Sequence, residues 1–146
     1  MATGIAEAGA LIPPLDRIDH IHVYVANRER AERWYRDVLG FARESVLEFW
    51  AADGGPLTLT NAAGTVHLAL FERPAQLCRS TIALAVGAEA FIAWRIHLAR
   101  TMGRAPDLQD HQLSWSIYFS DPDGNPYEIT SYEYAALEPE LRREGR

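Results

Sequence analysis

From Ile18 onward apolar and polar residues alternate: "IDHIHVYV" puts Ile21, Val23 and Val25 on one face and His20, His22 and Tyr24 on the other. A period of two rich in β-branched residues predicts a half-buried strand. After Asn27 the period lengthens, with Ala31, Trp34, Tyr35, Val38 and Leu39 on one helical face before Gly40. Asn27 suits the first-turn cap and Gly40 the stop. Three more strands are predicted in FARESVLEFW, LTLT and TVHLALF, separated by ADGGP and NAAG, whose residues favour turns. The unit reads βαβββ.

A second pass follows the same order. STIALAV reads as a strand, AEAFIAWRIHLARTM as a helix ending at Gly103, and RAPDLQ, SWSIYFS and PYEITSY as three strands. The last two are joined by DPDGN, where Pro122 presets the bend and Gly124 can take the left-handed conformation. At an offset of 61 residues, His20 falls opposite Thr81 and His67 opposite Glu128. One offset at both ends of the unit indicates a duplicated half-domain, since the period is longer than those that build solenoids. The expected fold is α+β: one domain over 16–133, with modules at 17–73 and 79–133. Each module's helix is expected to cover the apolar face of its first strand, Ile21, Val23 and Val25 in one and Ile82, Leu84 and Val86 in the other.

Residues 1–15 lack a basic start and carry a Pro-Pro pair, so they read as a flexible tail, not a signal peptide. Residues 134–146 read equally as a short helix or a tail. The 48% hydrophobic and 23% charged content suits a globular chain. No stretch approaches the roughly 20 apolar residues of a spanning helix. With Cys78 as the single cysteine, an intramolecular disulfide and a multi-cysteine zinc site are both ruled out, and a reducing, cytoplasmic location is expected. A net charge of -6 argues against nonspecific nucleic-acid binding. All 14 basic residues are arginines, which removes Schiff-base and phosphate-loop lysine chemistry.

Polar residues stand alone among apolar neighbours at a few strand positions: His20 opens the first strand, His67 interrupts VHLAL, and Glu128 interrupts YEIT. If these faces converge, two imidazoles and a carboxylate suit a divalent first-row metal with open positions for substrate or water. A carboxylate between Tyr127 and Ile129 is costly to bury alone, which favours a cationic partner. His22, two residues along from His20, is placed to line the site, whereas His97 falls within a helix pattern and reads as structural. Ala83 and Ala85 are small where bulk would fill the space beside Thr81.

The repeat, together with "DHIHVYV" and "WYRDVLGF" at its start and "SIYFSDPDGNPYEI" at its close, resembles the vicinal oxygen chelate superfamily. That superfamily includes glyoxalase I, extradiol dioxygenases, fosfomycin-resistance enzymes and bleomycin-resistance proteins. The resemblance runs from Arg17 to Glu133. It implies paired modules curled into an open cup, one divalent metal (Fe, Mn, Zn or Ni), a small substrate with adjacent oxygens, and a homodimer. It carries His20, His67 and Glu128 onto ligand positions, while Thr81 stands where a second-module histidine is usual. Glu128, Tyr118 and His111 become the catalytic candidates, and His22, Tyr24 and Thr81 the substrate-lining ones. The implied function is a metal-dependent enzyme, dioxygenase-like or glyoxalase-like. The alternative is a non-catalytic protein of the bleomycin-resistance type that sequesters a small molecule, for which Trp34, Trp50, Trp94 and Trp115 supply aromatic surface.

Overall fold

The computed structural model describes residues 12–13, 15–74, 76, 78 and 80–144, so the expected N-terminal tail lies largely outside the described residues. In module one, β1 (Ile21–Val25) leads into α1 (Arg28–Trp34), which widens into a π-helical turn over Tyr35–Leu39. Asn27 is extended, and its side-chain oxygen accepts from the Arg30 backbone N–H at 2.9 Å, satisfying one of the first-turn donors. Gly40 closes the helix at φ 74°, a conformation costly for a residue with a Cβ. Then come β2 (Ala42–Arg43), a 3-10 helix (Ser45–Asp53), β3 (Leu57–Thr60) and β4 (His67–Glu72). Module two is β5 (Ile82–Ala85), α2 (Ala88–Met102), β6 (Asp107–Asp110), β7 (Trp115–Ser120) and β8 (Pro126–Ser131). A terminal helix, α3 (Tyr134–Glu144), buries Leu137 and Leu141, so most of the C-terminal segment is helical.

The duplication is complete at the level of topology. One sheet has the order β1-β4-β3-β2 and the other β5-β8-β7-β6. In each, the first strand runs parallel to the last and the remaining pairs are antiparallel. One core joins them. Val23, Val25, Leu59, Leu68 and Leu70 from the first sheet share it with Ile117, Phe119, Tyr127 and Ile129 from the second, and with Ala31, Tyr35, Phe91 and Leu98 from the helices. Each fully buried aliphatic side chain contributes about 1.5–3 kcal/mol of transfer free energy. The opposite faces are turned outward: His22, Tyr24, Ala83 and Ala85 are all exposed.

A buried polar knot ties the modules together. The Tyr35 hydroxyl donates to Asp121 Oδ2 at 2.7 Å, and Tyr127 OH, 2.8 Å away, must therefore donate to Tyr35. Asn125 Nδ2 donates to the same carboxylate oxygen, while the backbone N–H groups of Asp123 and Asn125 donate to Oδ1. Asp121 thus organises the β7–β8 turn and receives a hydroxyl from the other module.

One predicted element is corrected. FARESVLEFW is not a strand: only Ala42–Arg43 pair with β3, and Ser45–Asp53 coil into the 3-10 helix. Arg28 holds the far end of this helix, donating to the carbonyls of Gly55 at 2.7 Å and Ala51 at 3.2 Å. The segment lies over the polar face of the first sheet, where Thr58 and Ala69 are consequently buried.

Candidate functional site

His20 lies just before β1, and the register pairing Ile21 with Leu68 makes His67 its lateral neighbour on β4. The His20 Nδ1 is 2.8 Å from Asp19 Oδ2, and its Nε2 is 3.1 Å from His22 Nε2. Asp19 is held below the usual carboxylate range, chiefly by that hydrogen bond from His20. The His22 ring rests against Phe71 at a centroid distance of 4.7 Å, and Tyr24 meets the same phenyl ring at 5.9 Å. His67 is half-buried, with its Nε2 4.0 Å from Glu44 Oε2. His20, His67, Thr58 and Ala69 share a cavity of about 150 Å³ with Leu47 and Trp50 of the 3-10 helix. That is about half the smallest volume typical of a pocket for a drug-sized ligand.

The second sheet holds the other candidates in a denser arrangement. Glu128 on β8 pairs with Tyr118 on β7 and with Ala83 on β5. The Ser116 hydroxyl donates to Glu128 Oε1 at 2.6 Å and lies 3.0 Å from Thr130 Oγ1. His111, from the β6–β7 connection, places Nε2 2.9 Å from the Tyr118 hydroxyl. Burial first, and then the neighbouring Glu128 charge, raise the Tyr118 pKa, so the phenol keeps its proton and remains a donor at neutral pH. Thr81 is exposed immediately before β5.

The candidates therefore fall into two groups. His20, His22, His67 and Tyr24 lie on the first sheet; His111, Tyr118 and Glu128 lie on the second with Thr81 at its edge. Among the described residues, no three His, Cys, Asp or Glu side chains gather where one ion could bind. His97 lies apart from both groups, its Nε2 2.7 Å from the Val38 carbonyl, linking α2 to the π-helical turn. Two contributors were missed by the sequence reading. Asp19 was signalled only by its adjacency to His20, and Ser116 by its register two residues before Tyr118; Trp50, expected only as aromatic surface, is brought to the cavity by the 3-10 helix.

The donors present suit a divalent metal. The Asp19 carboxylate fixes the proton of His20 on Nδ1 and leaves a lone pair on Nε2, the arrangement found behind metal-bound histidines. Imidazole and carboxylate together form a borderline donor set of the kind that first-row divalent ions accept.

Residues 17–129 match the family model of the Glyoxalase/Bleomycin resistance protein/Dioxygenase superfamily, and the chain belongs to that family. Solved structures with the same fold include a lactoylglutathione lyase from Agrobacterium tumefaciens, with 21% identity over 82% of this chain and 96% of that one, at a TM-score of 0.61. An integron cassette protein from the mobile metagenome of Halifax Harbour Sewage Outfall has 22% identity over 80% and 99%, at 0.64. The fosfomycin resistance protein FosX from Listeria monocytogenes has 12% identity over 85% and 99%, at 0.59. No curated protein matches the chain. Among the described residues no helix is long and apolar enough to cross a membrane.

Proposed function

We propose that the chain is a metal-dependent enzyme acting on a small substrate with adjacent oxygens, with extradiol-dioxygenase-like chemistry ahead of glyoxalase-like chemistry. Its site forms in a homodimer: His20 and His67 of one copy face Glu128 of another, and one Fe(II), Mn(II), Zn(II) or Ni(II) ion is held between them. The observation that carries this reading is the oriented His20, whose Nδ1 is held by Asp19 and whose Nε2 lies 3.1 Å from His22 Nε2. Two incomplete polar faces on separate sheets, with a cavity of only about 150 Å³ on the first, support completion by a second copy. When bound, the ion supplies Lewis-acid polarisation of the chelated oxygens. The protein's own groups then position and protonate the substrate. Tyr118 donates a hydrogen bond to a substrate oxygen, and His111 Nε2–H donates to the phenol oxygen and aims it. Ser116 holds Glu128 in place, while His22, Tyr24 and Thr81 line the cup. The single cysteine suits action in a reducing compartment such as the cytoplasm.

The test is metal analysis of chain purified without chelator and reconstituted with each ion, followed by oxygen uptake with catechols and turnover of hemithioacetals. Close to one ion per chain with turnover of either class supports the reading. Failure to retain any of the four ions removes it.

A second reading is favoured by one feature, the threonine at position 81 where the family resemblance leads one to expect a ligand histidine. In that reading the dimer sequesters a small molecule without metal. Tryptophan quenching by a bleomycin-type compound, unchanged by EDTA, would select it.

A further inference from the structure

His20 and His22 occupy the same face of one strand, where successive same-face side chains leave the backbone about 6.5–7 Å apart. Their rings nevertheless lean together, stacked at a centroid distance of 5.1 Å and an interplanar angle of 22°, with the two Nε2 atoms 3.1 Å apart. Phe71 lies against the outer ring at 4.7 Å and holds it in this position. The protonation pattern follows from the partners. A carboxylate only accepts, so His20 carries its hydrogen on Nδ1 toward Asp19 and presents a lone pair at Nε2. His22 fills that lone pair by donating from its own Nε2.

A divalent ion can replace this hydrogen. Zinc binds imidazole nitrogen at about 2.0–2.1 Å, so two neighbouring nitrogens at right-angled to tetrahedral separation stand about 2.9–3.4 Å apart. The observed 3.1 Å lies within that range. Moving the single proton of His22 to Nδ1, which has no hydrogen-bond partner among the described residues, frees a second lone pair at the position the ring already holds, and a tilt of the rings turns the two lone pairs onto one ion. The His22 side chain is exposed, so that proton can be held by water.

We propose that His22 is a metal ligand, so that His20 and His22 chelate one divalent ion from a single strand and His22 supplies the imidazole that Thr81 does not. This rests on the metal reading above and changes its ligand set: the first strand provides two nitrogens, and the site no longer needs one from the start of module two. The pair belongs to one module, so it binds an ion even where the dimer is dilute, with Glu128 of a second copy adding to the affinity.

The experiment uses the untagged full chain and Cu(II) alone as probe. Electron paramagnetic resonance with spin-echo modulation counts coordinated imidazoles, and Zn(II) competition against a chromophoric chelator gives affinity. His22→Phe keeps a ring against Phe71 while removing the nitrogens, and His22→Gln is a second variant for the case that the first disturbs packing. Loss of one imidazole in both variants, with Zn(II) affinity falling more than the roughly 10 to 100-fold typical of residues that only orient a ligand, supports the proposal. An unchanged imidazole count in the His22 variants, together with a lower count in His20→Ala, overturns it and leaves the metal reading intact. Absence of bound Cu(II) and Zn(II) in the unsubstituted chain overturns both.

Discussion

The two modules share one topology but hold their polar residues differently. On the first sheet the partners are local: His20 bonds Asp19, one residue away, and His22, two residues away, all at the exposed side of β1. On the second sheet the partners span strands: His111 reaches Tyr118 across the β6–β7 connection, and Ser116 on β7 reaches Glu128 on β8. Ser116 is fully buried and Tyr118 is half-buried, whereas His22 is exposed. A network that crosses strands is stiffened by the sheet itself. The duplicated fold has thus produced one half in which Glu128, Tyr118 and His111 are tied across the sheet, and another in which His20 and His22 are tied locally.

The comparison breaks most sharply if the halves work apart. Glu128→Ala and His20→Ala should each lower Zn(II) affinity by more than about 100-fold, beyond what residues behind the ligands contribute. Mixing the two inactive chains under conditions of subunit exchange should restore part of the metal binding, because one site in each mixed dimer then has intact halves. If exchange is verified and nothing returns, the ligands come from one chain and the cross-chain reading fails.

Much of this contrast was legible in the chain. The period of two at "HIHVYV", the turn DPDGN and the common offset of 61 residues located both sheets and put the imidazoles and carboxylate on corresponding strands. The helix at 88–102 ends where Gly103, at φ 74°, was expected to stop it. The 3-10 helix was not legible, because Val46, Leu47, Phe49 and Trp50 have strand-like composition and the contacts that bend them come from Arg28. Long-range ties of this kind override local preference. The π-helical turn was hidden for a related reason: Tyr35 is drawn to Asp121, 86 residues away. The strand positions also left open which imidazole Glu128 would meet, since that depends on how whole modules face one another.

The knot at Asp121 is where the halves are joined, and its loss should be the largest stability effect. Asp121→Ala removes the acceptor of the buried Tyr35 hydroxyl and of two turn N–H groups, costing about 3 kcal/mol. Thermal unfolding should fall by roughly 10 °C. A shift within error would mean that apolar packing and the other ties between the modules, such as His97 to the Val38 carbonyl, carry the junction without it.

The same knot predicts an alkaline limit. Burial raises the pKa of both Tyr35 and Tyr127, above all other causes, so the fold prefers their neutral forms. Unfolded tyrosine ionises near pH 10, so this stabilisation is complete below about pH 10 and declines as pH rises through and beyond it. Each of the two phenols should remove about 1.4 kcal/mol per pH unit in that range, as measured by urea denaturation between pH 9 and 11.5. Tyr35→Phe should flatten the slope. An equally steep slope in that variant would assign the alkaline loss elsewhere.

The smallest effect separates the modules by backbone strain. In the connection between its second and third strands, module one uses Gly54 at φ 78°, whereas module two uses Gln112 at φ 69° beside His111. The left-handed conformation costs a residue with a Cβ roughly 1–2 kcal/mol, and glycine pays part of that back in unfolded-state entropy. The Gln112 backbone N–H donates to Asp110 Oδ1 at 2.8 Å, a bond that glycine would keep. Gln112→Gly should therefore raise stability by about 0.5–1 kcal/mol, visible as a small rise in the unfolding midpoint with an unchanged denaturant slope. Gly54→Gln in module one should do the reverse. If Gln112→Gly instead lowers stability and also weakens substrate turnover, the strained residue is holding His111 against Tyr118, and the rigidity of the second half depends on that connection as much as on the sheet.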